Sequence, residues 1–310
     1  MNEVMTIDTN NYSAMSKAMG FAGEAKKSGG KTVTLPRFRI WHQPIMGQAK
    51  VNGKTANVEV VEGGSYRLET PSKDEGGEST FAFAKSAKIR VFAQRFMWRR
   101  FVANKNPKPN EPKGSFHRTL MADNLSIDLK DNTGGFNCGK PSGWIKDFKA
   151  LPQNMQDLLR QIKKVRILFG YAELINPVDA SGNPTKVPLQ PVIWEIDNRN
   201  AVAHMGELLS QIDKKQRLPI QHFIDLETEK NELPNGTSYY TPVAKVDFKN
   251  AIDIVDADQD VFKDFMEYIK NYNEYINNQW LEKSGDEPPI SNNDMKVVES
   301  FVDIDNTEVA

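Results

Sequence analysis

Ten Lys or Arg residues (85, 88, 90, 95, 99, 100, 105, 108, 113 and 118) crowd the stretch from Phe81 to Arg118 against one acid, Glu111. Seven aromatic residues are interleaved with them: Phe81, Phe83, Phe92, Phe96, Trp98, Phe101 and Phe116. Cations neutralise a phosphate backbone and release its counterions, and flat rings stack on unpaired bases. The mixture therefore suits a single-stranded nucleic acid.

Read as a strand, Arg90 to Phe101 sends alternate side chains to opposite faces. One face would hold Arg90, Phe92, Gln94, Phe96, Trp98 and Arg100, a predicted stacking platform. The other would hold Val91, Ala93, Arg95, Met97, Arg99 and Phe101. Packing is the competing reading, because aromatic strand faces are commonly core with arginine stems lying over them. In the binding reading, Lys85, Lys88, Arg90, Arg100 and Arg118 meet phosphates. Phe96 and Trp98 stack bases, and Lys140 and Trp144 add further contacts.

Other residue patterns offer little catalytic chemistry. Gly134 to Lys140 has the spacing of a phosphate-cradling loop, but Pro141 stands where Ser or Thr would hold magnesium, so a nucleotide hydrolase is not expected. The plainer reading is a glycine-shaped turn that leaves Lys140 and Trp144 exposed. Asp225, Glu227 and Glu229 lie near Lys230, yet acids alternating along a strand usually form a solvated face. Cys138 is the only cysteine and has no nearby histidine, so it reads as a packing residue. The four histidines (42, 117, 204 and 222) lack ligand spacing. No catalytic residue, metal or cofactor is expected.

These residues need a scaffold, and the hydrophobic pattern supplies one. Residues 1 to 31 are polar and Gly-rich and read as a flexible arm. Val33 to Ile45, with two prolines, reads as an irregular strand. Val58 to Val61 and Tyr66 to Glu69 flank Glu62-Gly63-Gly64-Ser65 and predict a hairpin. Residues 104 to 114 read as an exposed basic loop, followed by a strand pair at 118 to 121 and 125 to 129. A helix is expected from Pro152 to about Lys164, then a central strand from Val165 to Ile175, paired with Val192 to Ile196. A short helix follows over 201 to 212, then strands at 222 to 226 and 239 to 246. Apolar residues recur at spacings of three and four from Phe262 to Trp280, predicting a long helix over 259 to 283.

Charge divides unevenly along the chain. From Asp256 to Ala310 fourteen acids oppose four lysines, a net of −10, which leaves +9 on residues 1 to 255. A basic body with an acidic end suggests a tail, residues 285 to 310, that competes with nucleic acid for the basic groove and recruits replication proteins when displaced. A solubilising role is the simpler alternative. The domains expected are the arm, a basic body over 32 to 255, a helix over 256 to 284 packed on it, and the tail.

IRVFAQRFMWRRF, DNTGGFNCGKPSGWIKDF, VRILFGYAEL and VIWEIDNRN, with the acidic end, resemble single-stranded DNA-binding proteins of tailed bacteriophages that infect marine bacteria. The resemblance covers about residues 32 to 283. It implies an OB-type barrel that coats single-stranded DNA in phage replication and recombination without catalysis. The fold expected is α+β, with a mostly antiparallel OB-like barrel or curled sheet, inserted helices and a long C-terminal helix. No apolar run is long enough to cross a membrane and no secretory segment is present, so the host cytoplasm is the expected compartment, without a membrane partner. The alternative function is a phage virion structural or assembly protein, such as a neck, tail or scaffold component. In that case the basic strand would pair with an acidic patch on another subunit. Oligomerisation is left open.

Overall fold

The computed structural model describes residues 34–51, 54–72, 77–109 and 111–285. The predicted arm and the acidic tail beyond Gly285 lie outside the described residues. The strands are β1 (Arg37–Trp41), β2 (Ile45–Val51), β3 (Lys54–Val61), β4 (Ser65–Thr70), β5 (Thr80–Ala84), β6 (Ser86–Ala103), β7 (Gly114–Arg118), β8 (Ile162–Ile175), β9 (Gln190–Ile196), β10 (Ile224–Glu232) and β11 (Ser238–Val246). The helices are α1 (Gln153–Gln161), α2 (Arg199–Lys214) and α3 (Asp256–Ser284).

The expectation of an α+β fold with a mostly antiparallel sheet holds. Eight strands run in the order β11-β10-β6-β8-β9-β1-β4-β5, and β7 pairs with the far end of β6. Among the described residues only the β1–β9 contact is parallel. β2 and β3 form a separate ribbon. The hairpin predicted across residues 62 to 65 is therefore corrected: the turn forms, but β3 pairs with β2 while β4 pairs with β1 and β5. The strand pair predicted over 118 to 129 is replaced by β7, which pairs with β6, and by irregular chain joined through isolated bridges.

The sheet curls without closing. Tyr66 Oη donates to the Glu227 carbonyl at 2.9 Å and Thr228 Oγ1 to the Gly64 carbonyl at 2.8 Å, drawing β10 toward the turn before β4. Among the described residues no backbone ladder completes a barrel, so the predicted barrel is not what forms.

Helices cover both faces of the sheet. On one, Ala87, Ile89 and Val91 of β6 join Leu168 and Ala172 of β8 against Met205, Leu209 and Ile212 of α2. Asn198 starts α2 by accepting the Asn200 and Ala201 amides at 2.9 and 3.1 Å. On the other, Phe169 meets Phe265 of α3 with ring centroids 5.6 Å apart, and Tyr272 of α3 donates to Met97 Sδ. Each fully buried side chain of this size contributes roughly 1.5–3 kcal/mol. This burial is why α3, with its apolar stripe, packs on the sheet.

One irregularity decides which residues share a face. Val91 pairs with Gly170 and Ala93 with Phe169, so Phe92 is an extra residue in β6. A Cβ on Gly170 would stand 2.3 Å from the Arg90 carbonyl oxygen, so only glycine admits the bulge. Beyond Phe92 the alternation is inverted. Arg90 points to the α3 side, while Gln94, Phe96, Trp98 and Arg100 point to the α2 side.

Candidate nucleic-acid interface

The predicted platform is thereby split. Arg90 is 6% exposed, and its two terminal nitrogens each donate to an Asp258 carboxylate oxygen at 2.9 Å. Such a pair satisfies the cation internally, and the expectation that Arg90 meets phosphate is corrected. Arg118 is 2% exposed on the α3 side, 5.1 Å from the Phe116 ring centroid, and is likewise removed from any surface. Lys85 is ion-paired with Glu62 in the turn between β5 and β6, and Lys88 lies 3.4 Å from Asp225. Lys85 is exposed and Lys88 half-buried, both at the end of β6 away from Trp98.

Phe96, Trp98, Arg100 and Lys140 do come together. Phe96 and Trp98 are half-buried on the α2 side. The β6–β8 register sets Phe96 opposite Arg166 and Trp98 opposite Lys164. The Arg166 guanidinium lies 4.9 Å and the Lys164 ammonium 5.0 Å from the Phe96 centroid. From the following loop the Lys140 ammonium sits 5.4 Å from the Trp98 centroid. Cations at these distances are attracted by the ring quadrupole.

The loop that places Lys140 is built around one carboxylate. Asp131 accepts the amides of Thr133, Cys138 and Gly135 at 2.9, 2.9 and 3.3 Å. Amides of the kind a bound phosphate would use are thus occupied by the chain's own acid, and of the two residues that the plainer reading leaves exposed, Lys140 is half-buried. Lys140 Nζ donates to the carbonyls of Pro141 and Gly143 at 3.0 and 3.2 Å, fixing it over Trp98. Trp144 is 87% exposed just beyond. Cys138 is buried, and burial with the help of Asp131 pushes its thiol up to about 12. A thiol held neutral in this way is a poor nucleophile, because the thiolate is the reactive form.

Arg100 donates toward His117 Nδ1 at 3.0 Å. Burial, and then Arg100 itself, lowers the His117 pKa, favouring the neutral ring that can accept this bond. Desolvation and neighbouring Arg166 lower Lys164, and desolvation lowers Arg166. Among the described residues none of Arg100, Lys140, Lys164 or Arg166 forms an ion pair with a carboxylate.

A groove runs beside these cations. One hollow of about 680 Å³ lies between β8 and α2, with Lys164, Arg166, Arg199 and Lys214 among its walls. A second, of about 470 Å³, continues past Arg166 toward Phe96, Gln94 and Arg217. Glu207 stands on the first and Asp213 on the second. Among the described residues no group of His, Cys, Asp and Glu is placed to hold a metal ion, and no helix is long and apolar enough to cross a membrane.

No family model, curated protein or solved structure matches this chain. The geometry is what bears on its function. Lys164 and Arg166 were missed from the sequence because their nearness to Phe96 depends on strand register. The run Lys163-Lys164-Val165-Arg166 at the start of an apolar strand was the available signal.

Proposed function

We propose that the chain binds single-stranded DNA without sequence preference along the α2 side of the β6–β8 strands. Bases stack on Phe96 and Trp98, with Trp144 reaching in from the loop, and phosphates meet Arg100, Lys140, Lys164 and Arg166. The observation that carries this reading is the cross-strand pairing of two half-buried rings with two cations that meet no carboxylate among the described residues. The curled sheet would then work as an OB-like platform does, offering a strand face flanked by loops. The role proposed for this activity, as the sequence resemblance to phage proteins implies, is in phage DNA replication and recombination.

Tryptophan fluorescence titrated with oligo-dT tests the reading. Quenching that weakens steeply with added salt supports it. Absence of any response at low salt rejects it in favour of the virion-component alternative.

A further inference from the structure

We propose that Arg166, backed by Lys164, is a buried anchor for one phosphate group seated in the groove beside α2. Arg166 is only 9% exposed, yet among the described residues no carboxylate balances it. Its Nη1 donates to Gln94 Oε1 at 2.6 Å, and its Nε finds no acceptor. A buried guanidinium without a counter-charge is costly to the fold. On the other side of the same sheet Arg90, Arg95 and Arg99 each meet a carboxylate.

A second unfavourable feature serves the same geometry. Gly206 lies inside α2, where glycine is a poor helix former. A Cβ there would stand 2.6 Å from Arg166 Nη2, so any larger residue would make the end of the guanidinium shift away from the helix. Arg166, Gly206 and Ser210 line both hollows, which places the guanidinium where the two meet. Arg199 and Lys214 stand on one side and Arg217 on the other.

A ligand for this place must carry negative charge and accept from a planar fork of donors. Phosphate does both, and the surrounding cations favour an anion with more than one charge. Two sources share that chemistry: the backbone phosphodiester of a single strand, or a free polyphosphate group. The anchor deepens the single-strand reading and rests on it for the first source.

The test uses the full chain, titrated with oligo-dT, with a charge-neutral methylphosphonate oligo-dT of equal length and with inorganic tripolyphosphate. Each titration is run on wild type, Arg166→Gln and Gly206→Ala and is followed by fluorescence and by thermal melting. Arg166→Gln is expected to melt no lower than wild type without ligand, and to bind oligo-dT or tripolyphosphate about tenfold or more weakly. Gly206→Ala, which favours the helix while displacing the guanidinium, should weaken binding in the same direction, and it carries the test if Arg166→Gln does not fold. Weak binding of the neutral oligonucleotide, unaffected by either variant, would identify the backbone as the source. Oligo-dT bound equally by all three proteins would overturn the anchor and leave the single-strand reading standing. Tripolyphosphate lost on substitution, with no oligo-dT binding to wild type, would support the anchor and sink the single-strand reading. Indifference of wild type to every phosphate, with a lower melting point for Arg166→Gln, would show a merely structural arginine.

Discussion

On the α3 side of the sheet, Arg90 reaches Asp258 at 2.9 Å, Arg95 reaches Asp123 at 3.0 Å, and Arg99 reaches Glu195 and Asp197 at 2.8 and 2.7 Å. On the α2 side, Lys140, Lys164 and Arg166 lie over Trp98 and Phe96, and among the described residues Arg100 meets a histidine and no carboxylate. The same two strands therefore carry neutralised cations on one face and un-neutralised ones on the other. Charge that is balanced internally holds α3 and β9 in place. Charge that is not balanced is available to a ligand. The contrast separates arginines that build the fold from the cations proposed to bind, which a count of basic residues could not do.

Removing Arg90 should break the contrast most severely. Arg90→Gln leaves Asp258 buried without its partner, which costs about 3–5 kcal/mol and lowers the melting temperature by roughly 10 °C. Calorimetry would show it, and an unchanged melting point would make the α3-side pairs dispensable. Trp98→Ala acts on the other face. It should weaken oligo-dT binding by about 1–3 kcal/mol, or roughly fivefold to 150-fold, in a fluorescence-anisotropy titration, with the fold retained.

The smallest effect expected is that of His117. Its folded pKa lies below the ordinary 6.5, so the unfolded chain takes up the proton first as the pH falls. Stability is complete above about pH 6.5 and declines below it until the folded ring is also protonated. Melting curves between pH 7 and 5 should show this shallow decline, and His117→Gln should flatten it.

Much of the scaffold was legible in the sequence. The spacing from Phe262 to Trp280 gave the long C-terminal helix, and the apolar run from Val165 gave the central strand, because burial of one stripe or both faces leaves a periodic record. Strict alternation across Phe92 puts Arg90 on the face of Trp98, and the bulge puts it on the other. The cue to the bulge was Gly170, but it sits on the partner strand and has meaning only once β6 and β8 are in register. Arg118 and Arg166 show the same limit from opposite directions: the sequence pattern makes the first a phosphate contact though it is enclosed beside Phe116, and gives no sign that the second lines the groove. The Gly134 to Lys140 spacing likewise could not show that Asp131 would take the loop's amides.

The salt dependence of oligo-dT binding, compared between the two faces, tests the central claim most directly. Each phosphate contact on a single strand contributes about 0.7 to the slope of log K against log salt. Lys140→Gln with Lys164→Gln on the α2 side should therefore make the slope shallower by about 1.4, whereas Arg95→Gln on the α3 side should leave it unchanged. Equal slopes in all three proteins, or a loss only on the α3 side, would contradict the account.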